Sequence, residues 1–257
     1  MRKHKRIAGN LPLIKMIIYG LGATGKTHLA ADFSQDDRTA PALILNSGGN
    51  PEKLTLWERP PEIIDIEHYK DLDEIYDFFA SDQSPKHSLR KDMEWPADLR
   101  FKTLIIDTFS DIQSQYVLQA ANPTYKPGEF STITPPNIKS WQSIGLYSIN
   151  TARAFIQLPL NVIMVLQEKT QVDLERQTSK VRPCLDGQSV EIIPSWVSLM
   201  GRMQMVHNKQ GELVPKIWWS SETEELWTKN QLCDALGRGM VNPTVKDILD
   251  KIQNHYS

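Results

Sequence analysis

An α/β fold with a mostly parallel central sheet flanked by helices is predicted for this 257-residue sequence by three features. Short aliphatic and β-branched runs alternate with segments of helical period. The first run leads into Gly20-Leu21-Gly22-Ala23-Thr24-Gly25-Lys26-Thr27, a glycine-rich turn between a strand and a helix-forming segment. A later run, Leu104-Ile105-Ile106, ends in Asp107, the pattern of a buried strand that carries a carboxylate to the sheet edge.

The bulk properties narrow the class. With 40% hydrophobic and 23% charged residues the chain has the composition of a globular protein with a sizeable core. We expect a single domain over residues 1–257, with a basic arm at 1–11 and a hairpin-and-helix extension at 202–257. A net charge of −2 gives no global basic signature, so any nucleic-acid contact must be local. Cys184 and Cys233 form no C-x-x-C pair, which excludes a disulfide framework or a cysteine zinc site and fits a reducing compartment. No run approaches 18 apolar residues and no signal-peptide core is visible, so no membrane is expected and the location expected is cytoplasmic.

Taken in order, Arg2, Lys3, Lys5 and Arg6 open the chain as either a nucleic-acid arm or a solvated terminus. Residues 14–19 are the first strand. In the turn that follows, Gly20, Gly22 and Gly25 free the backbone to bend, partly at positive φ, so that successive N–H groups converge on phosphate oxygens. A helix beginning near Lys26 adds its positive end. Residues 42–45 and 62–66 are strands, the first broken by Asn46-Ser47-Gly48-Gly49-Asn50-Pro51. Apolar residues at 72, 75, 76, 78 and 79 predict a helix over 71–79, and the polar, Pro-containing stretch 81–100 reads as a surface loop.

After the strand that ends at Asp107, residues 122–136 form a Pro/Thr-rich loop in which Tyr125, Lys126 and Phe130 either stack bases or anchor the loop. Residues 137–158 predict a helix with Trp141, Ile144, Ser148, Ala152 and Phe155 on one face. Residues 161–166 form a strand ending at Gln167-Glu168, where a polar group either senses the γ-phosphate or only terminates the strand. Residues 169–183, with no apolar period, read as a mobile loop. Its Lys169, Arg176, Lys180 and Arg182 either touch DNA or are merely solvated. Segments 203–206 and 214–219 flank a turn and predict a hairpin, and Asn242-Pro243-Thr244 caps a last short helix through about 252.

G-x-x-x-x-G-K-T is the Walker A, or P-loop, spacing. It implies that Gly20, Leu21, Gly22, Ala23, Thr24, Gly25, Lys26, Thr27 and His28 line a nucleotide-phosphate site. Lys26 would meet the β- and γ-phosphates, and the Thr27 hydroxyl would meet Mg²⁺. Asp107 would hold the same ion from the facing strand.

With these motifs placed, the chain resembles the RecA-like P-loop ATPases, and more closely the phage nucleotide-binding proteins of that group, which include RecA-like single-strand annealing proteins. The resemblance is carried by Gly20 to Thr27, Leu104 to Asp107, the helix around Trp141 and Ile163 to Gln167. Arg182-Pro183-Cys184-Leu185-Asp186-Gly187 with Pro194, and Trp227-Thr228-Lys229-Asn230, add to it. It implies ATP and Mg²⁺ as cofactors, and Lys26, Thr27, Asp107 and Gln167 as the phosphate, magnesium and γ-phosphate-sensing groups; Glu168 joins Lys26, Asp107 and Gln167 as a candidate catalytic residue. It also implies single-stranded DNA and a cognate single-strand-binding protein as partners, ring or filament homo-oligomers, and the cytoplasm of an infected bacterial host. In one respect the sequence departs from that family: Gly48 stands where a water-polarising Glu is expected. Activation of water would then fall to Glu168, Glu52 or an acid of a neighbouring subunit, or hydrolysis would be slow. The other readings are a nucleotide-gated DNA scaffold with little hydrolysis and a P-loop kinase of a small molecule. The chain lacks the arginine-rich lid of the latter, and Asn208-Lys209-Gln210-Gly211 lacks the Asp of a guanine motif.

Overall fold

The aliphatic runs become the strands of one sheet in the computed structural model, which describes residues 11–49, 51–122, 138–173, 178–220 and 226–256. In chain order the elements begin β1 (Lys15–Gly20), α1 (Lys26–Ala31), β2 (Ala42–Asn46), β3 (Glu62–Asp65), α2 (Asp71–Ala80) and α3 (Ser88–Asp92). Next come β4 (Thr103–Asp107), α4 (Phe109–Ala121), α5 (Ile138–Ile156), β5 (Asn161–Asp173), β6 (Thr178–Pro183) and α6 (Ser189–Trp196). The chain closes with β7 (Leu199–His207), β8 (Leu213–Trp218), β9 (Lys229–Asn230), β10 (Gly239–Val241) and α7 (Val245–Tyr256).

The strand order is β10-β8-β7-β1-β5-β4-β2-β3, with β6 on β5 and β9 on β7. From β7 across to β3 every pairing is parallel, whereas β8, β10, β6 and β9 join antiparallel. The expected mostly parallel α/β architecture is therefore present. Successive residues of a strand point to opposite faces, and β1, β2, β4 and the first half of β5 are covered on both, so these runs are almost wholly apolar. Ile17, Tyr19, Leu43, Leu45, Leu104, Ile106, Val162 and Met164 pack on the side of α2, α4, α5 and α6. Met16, Ile18, Ile44, Ile105, Ile163 and Val165 pack on the side of α1 and α7. Each such side chain contributes about 1.5–3 kcal/mol by leaving water.

The C-terminal hairpin and helix are integral to this core. Ile217 and Trp219 are fully buried beside Ile18, and Val245, Ile248, Leu249 and Ile252 of α7 close over the same cluster. The Thr244 hydroxyl accepts from the Asp247 N–H (3.1 Å) and donates to the Asp247 carboxylate (2.8 Å), a reciprocal cap that starts α7. The hairpin turn is held by Asn208 Oδ1, which accepts from the N–H groups of Gln210 and Glu212 at 3.0 and 2.9 Å.

Two expectations are corrected. Residues 81–100 are not a surface loop: they contain α3, a buried Trp95 and a buried Arg90 over the Phe78 ring. The Arg90 guanidinium donates to the carbonyls of Gln83, Pro96 and Leu99, so its charge is neutralised by dipoles and its polarity hid its burial. Residues 169–183 are not an irregular loop either. β5 runs on to Asp173, and β6 pairs back along it from Thr178 to Pro183. Backbone pairing, not a buried apolar face, builds this ribbon, so its sequence shows no apolar period. Residues 1–10 of the basic arm, the loop with Tyr125, Lys126 and Phe130, and Arg176 lie outside the described residues.

Candidate nucleotide-binding site

The site lies where β1 and β4 end beside the middle of β5. In register, Gly20 pairs with Gln167 on one side and with Met203 on the other, while Asp107 pairs with Val165 and Asn46. A Cβ at Gly20 would stand 2.3 Å from the Met203 carbonyl oxygen, so β7 approaches this strand closely enough to require glycine. Positive φ in the turn falls on Ala23 (60°) and Gly25 (89°), not on Gly20 or Gly22. Gly25 is the residue that turns the chain into α1.

Lys26 and Thr27 open α1 facing the end of β4. The Thr27 hydroxyl donates to Asp107 Oδ2 at 2.5 Å. The Lys26 side chain is 6% exposed, and its ammonium donates to the carbonyls of Gly20 (2.9 Å) and Leu21 (2.6 Å), capping the turn from inside. Burial lowers the Lys26 pKa below the usual ammonium value, a shift opposed by the negative charges of Asp107, Glu168 and Asp111. Burial likewise raises the Asp107 carboxyl above the ordinary carboxylate range, offset by the Thr27 hydrogen bond and the Lys26 charge.

These groups suit a polyphosphate with a hard cation. Phosphate oxygens are better acceptors for an ammonium than the two carbonyls it now uses. Facing hydroxyl and carboxylate oxygens are ligands that Mg²⁺ accepts, and Mg²⁺ takes few protein ligands because it keeps waters and substrate oxygens. No group of three or more His, Cys, Asp or Glu gathers into a metal site among the described residues.

The remaining candidates are placed as follows. The backbone N–H of Gln167 donates to the Ser110 hydroxyl (3.2 Å), and its carbonyl accepts from the Cys184 N–H (2.8 Å). The middle of β5 is thereby tied to the start of α4 and to the residues after β6. Glu168 is held in a bidentate pair with Arg202 of β7, Arg202 Nε and Nη2 donating at 2.9 and 3.1 Å. With Glu168 6% and Arg202 17% exposed, this pair is desolvated, and Glu168 has its charge partner within the same chain. The His28 ring is exposed and stands edge-on to Trp57 at 4.8 Å. Lys169 pairs with Arg182 and Gln171 with Lys180, so the three basic side chains share one face of the ribbon.

Sequence reasoning missed the way β2 is fastened to β4. The Ser47 N–H donates to the Asp107 carbonyl (2.9 Å), the Ser47 hydroxyl donates to the Thr108 carbonyl (2.9 Å), and the Thr108 N–H donates back to that hydroxyl (3.0 Å). Thr108 then caps α4: its hydroxyl accepts from the Asp111 N–H (3.2 Å) and donates to Asp111 Oδ2 (2.5 Å). The signal was available as Thr-x-x-Asp immediately after an aliphatic strand.

A family model described as an AAA domain matches residues 13–232 of this chain. The chain belongs to that family. Among solved structures it is similar to a KaiC-like protein from the hyperthermophilic archaeon Pyrococcus horikoshii, at 12% identity over 90% of each chain and a TM-score of 0.43. It is also similar to the RadB recombinase, at 12% identity over 82% of this chain and 81% of that one, with a TM-score of 0.42. A third, the Legionella pneumophila ATPase DotB, is 10% identical over 85% of this chain and 48% of its own, with a TM-score of 0.32. None of the three is close enough to assign a partner or a reaction. No curated protein matches the chain. Among the described residues no helix is long and apolar enough to cross a membrane.

Proposed function

We propose that this protein binds and hydrolyses ATP with Mg²⁺ as a RecA-like ATPase and couples nucleotide state to single-stranded DNA in phage recombination or annealing. Lys26 and the amides of residues 20–27 would hold the triphosphate, and Thr27 and Asp107 would hold the ion, which neutralises charge on the β- and γ-oxygens. Gln167 would sense the γ-phosphate. The observation that carries the coupling is the continuity of β5. Gln167, in register with Gly20, lies two residues from Lys169, the first basic residue of the ribbon that also bears Lys180 and Arg182. Two strand residues span about 7 Å, so a shift at the phosphate end is passed directly to the basic face. We further propose that residues 1–257 form one domain and assemble into a ring or filament. It would work with a cognate single-strand-binding protein in the host cytoplasm.

The deciding measurement is ATP turnover with and without single-stranded DNA for the parent and Lys26→Ala. DNA-stimulated turnover that is lost in the variant supports the reading, and DNA-indifferent turnover counts against it. A second reading, a nucleotide-gated scaffold with little hydrolysis, is favoured by Gly48 standing where the resembling family has an acid. Tight ATP binding without phosphate release would select it.

A further inference from the structure

We infer that Asp111, in the first turn of α4, is the carboxylate that activates the attacking water for ATP hydrolysis, a role that rests on the ATPase reading above. Among the described carboxylates around the crevice, Asp107 faces the Thr27 hydroxyl, where the two would hold the ion, and Glu168 is neutralised by Nε and Nη2 of Arg202. Asp65 is turned to Asn46, whose Nδ2 donates to it at 2.6 Å. Asp111 is differently placed. Only 3.9 Å separates its Oδ2 from where a Cβ at Gly48 would be, so a carboxylate from α4 lies against the loop that follows β2, at the sheet edge where Asp107 also ends its strand.

Its neighbours hold it there. The Thr108 hydroxyl fixes Oδ2, Ser47 joins Thr108 to the loop carrying Gly48, and the Gln115 amide donates to the Ser47 carbonyl at 3.1 Å. Asp111 is half-buried, and its charge is felt by both Lys26 and Asp107, so it shares the field of the phosphate site. Among the described residues only this carboxylate comes within 4 Å of a Cβ at Gly48, so the space before it is open.

The step balances as follows. Asp111 takes a proton from water as the water oxygen bonds to the γ-phosphorus, and the bond from that phosphorus to the β,γ-bridging oxygen breaks. ADP leaves with that electron pair, and the proton passes from Asp111 to the released phosphate or to solvent. No oxidant or further reactant is needed.

The test compares the parent, Lys26→Ala, Asp111→Asn and Asp111→Ala, each assayed for ATP affinity by nucleotide-induced melting shift and for turnover with [γ-³²P]ATP. Asparagine keeps an oxygen for the Thr108 hydroxyl, so helix α4 keeps its cap. The expected result is that Asp111→Asn binds ATP within about threefold of the parent, turns it over about 10²-fold or more slowly, and carries ATP rather than ADP through gel filtration. Added formate is expected to restore part of the turnover of Asp111→Ala, which a lost helix cap would not allow. Turnover of Asp111→Asn within tenfold of the parent overturns the assignment while leaving the ATPase reading intact. A parent that turns over no faster than Lys26→Ala overturns both.

Discussion

The Thr27 hydroxyl and the Asp107 carboxylate, 80 positions apart in the chain, meet at 2.5 Å at the carboxyl end of the sheet. One opens α1 and the other ends β4, and β5 lies between their two strands. This contact makes one site of two motifs. If it is the magnesium site, Thr27→Ala lowers affinity for Mg·ATP by tenfold or more and leaves affinity for metal-free ATP nearly unchanged. A titration with and without chelator checks this.

Lys26→Ala should abolish nucleotide-induced stabilisation. At a hundredfold excess over Kd, a ligand adds about 2.7 kcal/mol, or roughly 5–10 °C for a domain of this size. Melting curves of parent and variant with ATP are the measurement, and a shift equal to the parent's would exclude Lys26 from the site.

The raised carboxyl pKa of Asp107 has a definite sign. Burial penalises the charged form, so the folded state holds this proton more tightly than the unfolded chain, and the nucleotide-free protein loses stability as pH rises through the folded pKa. Asp107→Asn is therefore expected to melt higher than the parent at pH 8. The difference should shrink as the pH falls below the ordinary carboxylate range, where both states are protonated. A melting series over pH without nucleotide tests this.

Breaking the desolvated Glu168–Arg202 pair should be costly, because the remaining charge is left without a partner. Arg202→Met is expected to lose about 3 kcal/mol, and Glu168→Gln combined with Arg202→Met to recover most of it. Urea unfolding of the two variants and the parent separates charge burial from packing.

At Gly20 a methyl group would press on the backbone of β7 rather than on a flexible side chain. Gly20→Ala should cost about 3 kcal/mol, at the upper end for overpacking, and should disturb the β1–β7 pairing. Hydrogen exchange of the β7 amides is the readout.

Charge reversal on the ribbon tests the proposed DNA face. Replacing Lys169, Lys180 and Arg182 by Glu should weaken single-stranded DNA binding and flatten its salt dependence by about 0.7 for each phosphate that is no longer neutralised. An unchanged slope would place the DNA elsewhere.

How much of this is legible in the sequence depends on the range of the forces involved. The strands of the parallel sheet are readable because burial on both faces demands unbroken aliphatic runs, as in Leu104-Ile105-Ile106. The phosphate turn is readable because its spacing reports backbone geometry. The β5–β6 ribbon reads as a loop because it is held by backbone hydrogen bonds between polar residues. Residues 81–100 read as a loop because Arg90 is buried against carbonyls that no local pattern announces.

By itself the sequence determined which residues form the parallel strands, where the glycine-rich turn falls and which strand ends in an acid, since each follows from local periodicity or from a motif that is contiguous in the chain. Only the tertiary structure decided that Glu168 is spent on Arg202, that Gly20 is required by the approach of β7, and that Asp111 stands against Gly48. Those relations join residues 34, 183 and 63 positions apart. Contacts across such distances are fixed by how the sheet is ordered and which helices cover it, not by the residues on either side of them in the chain.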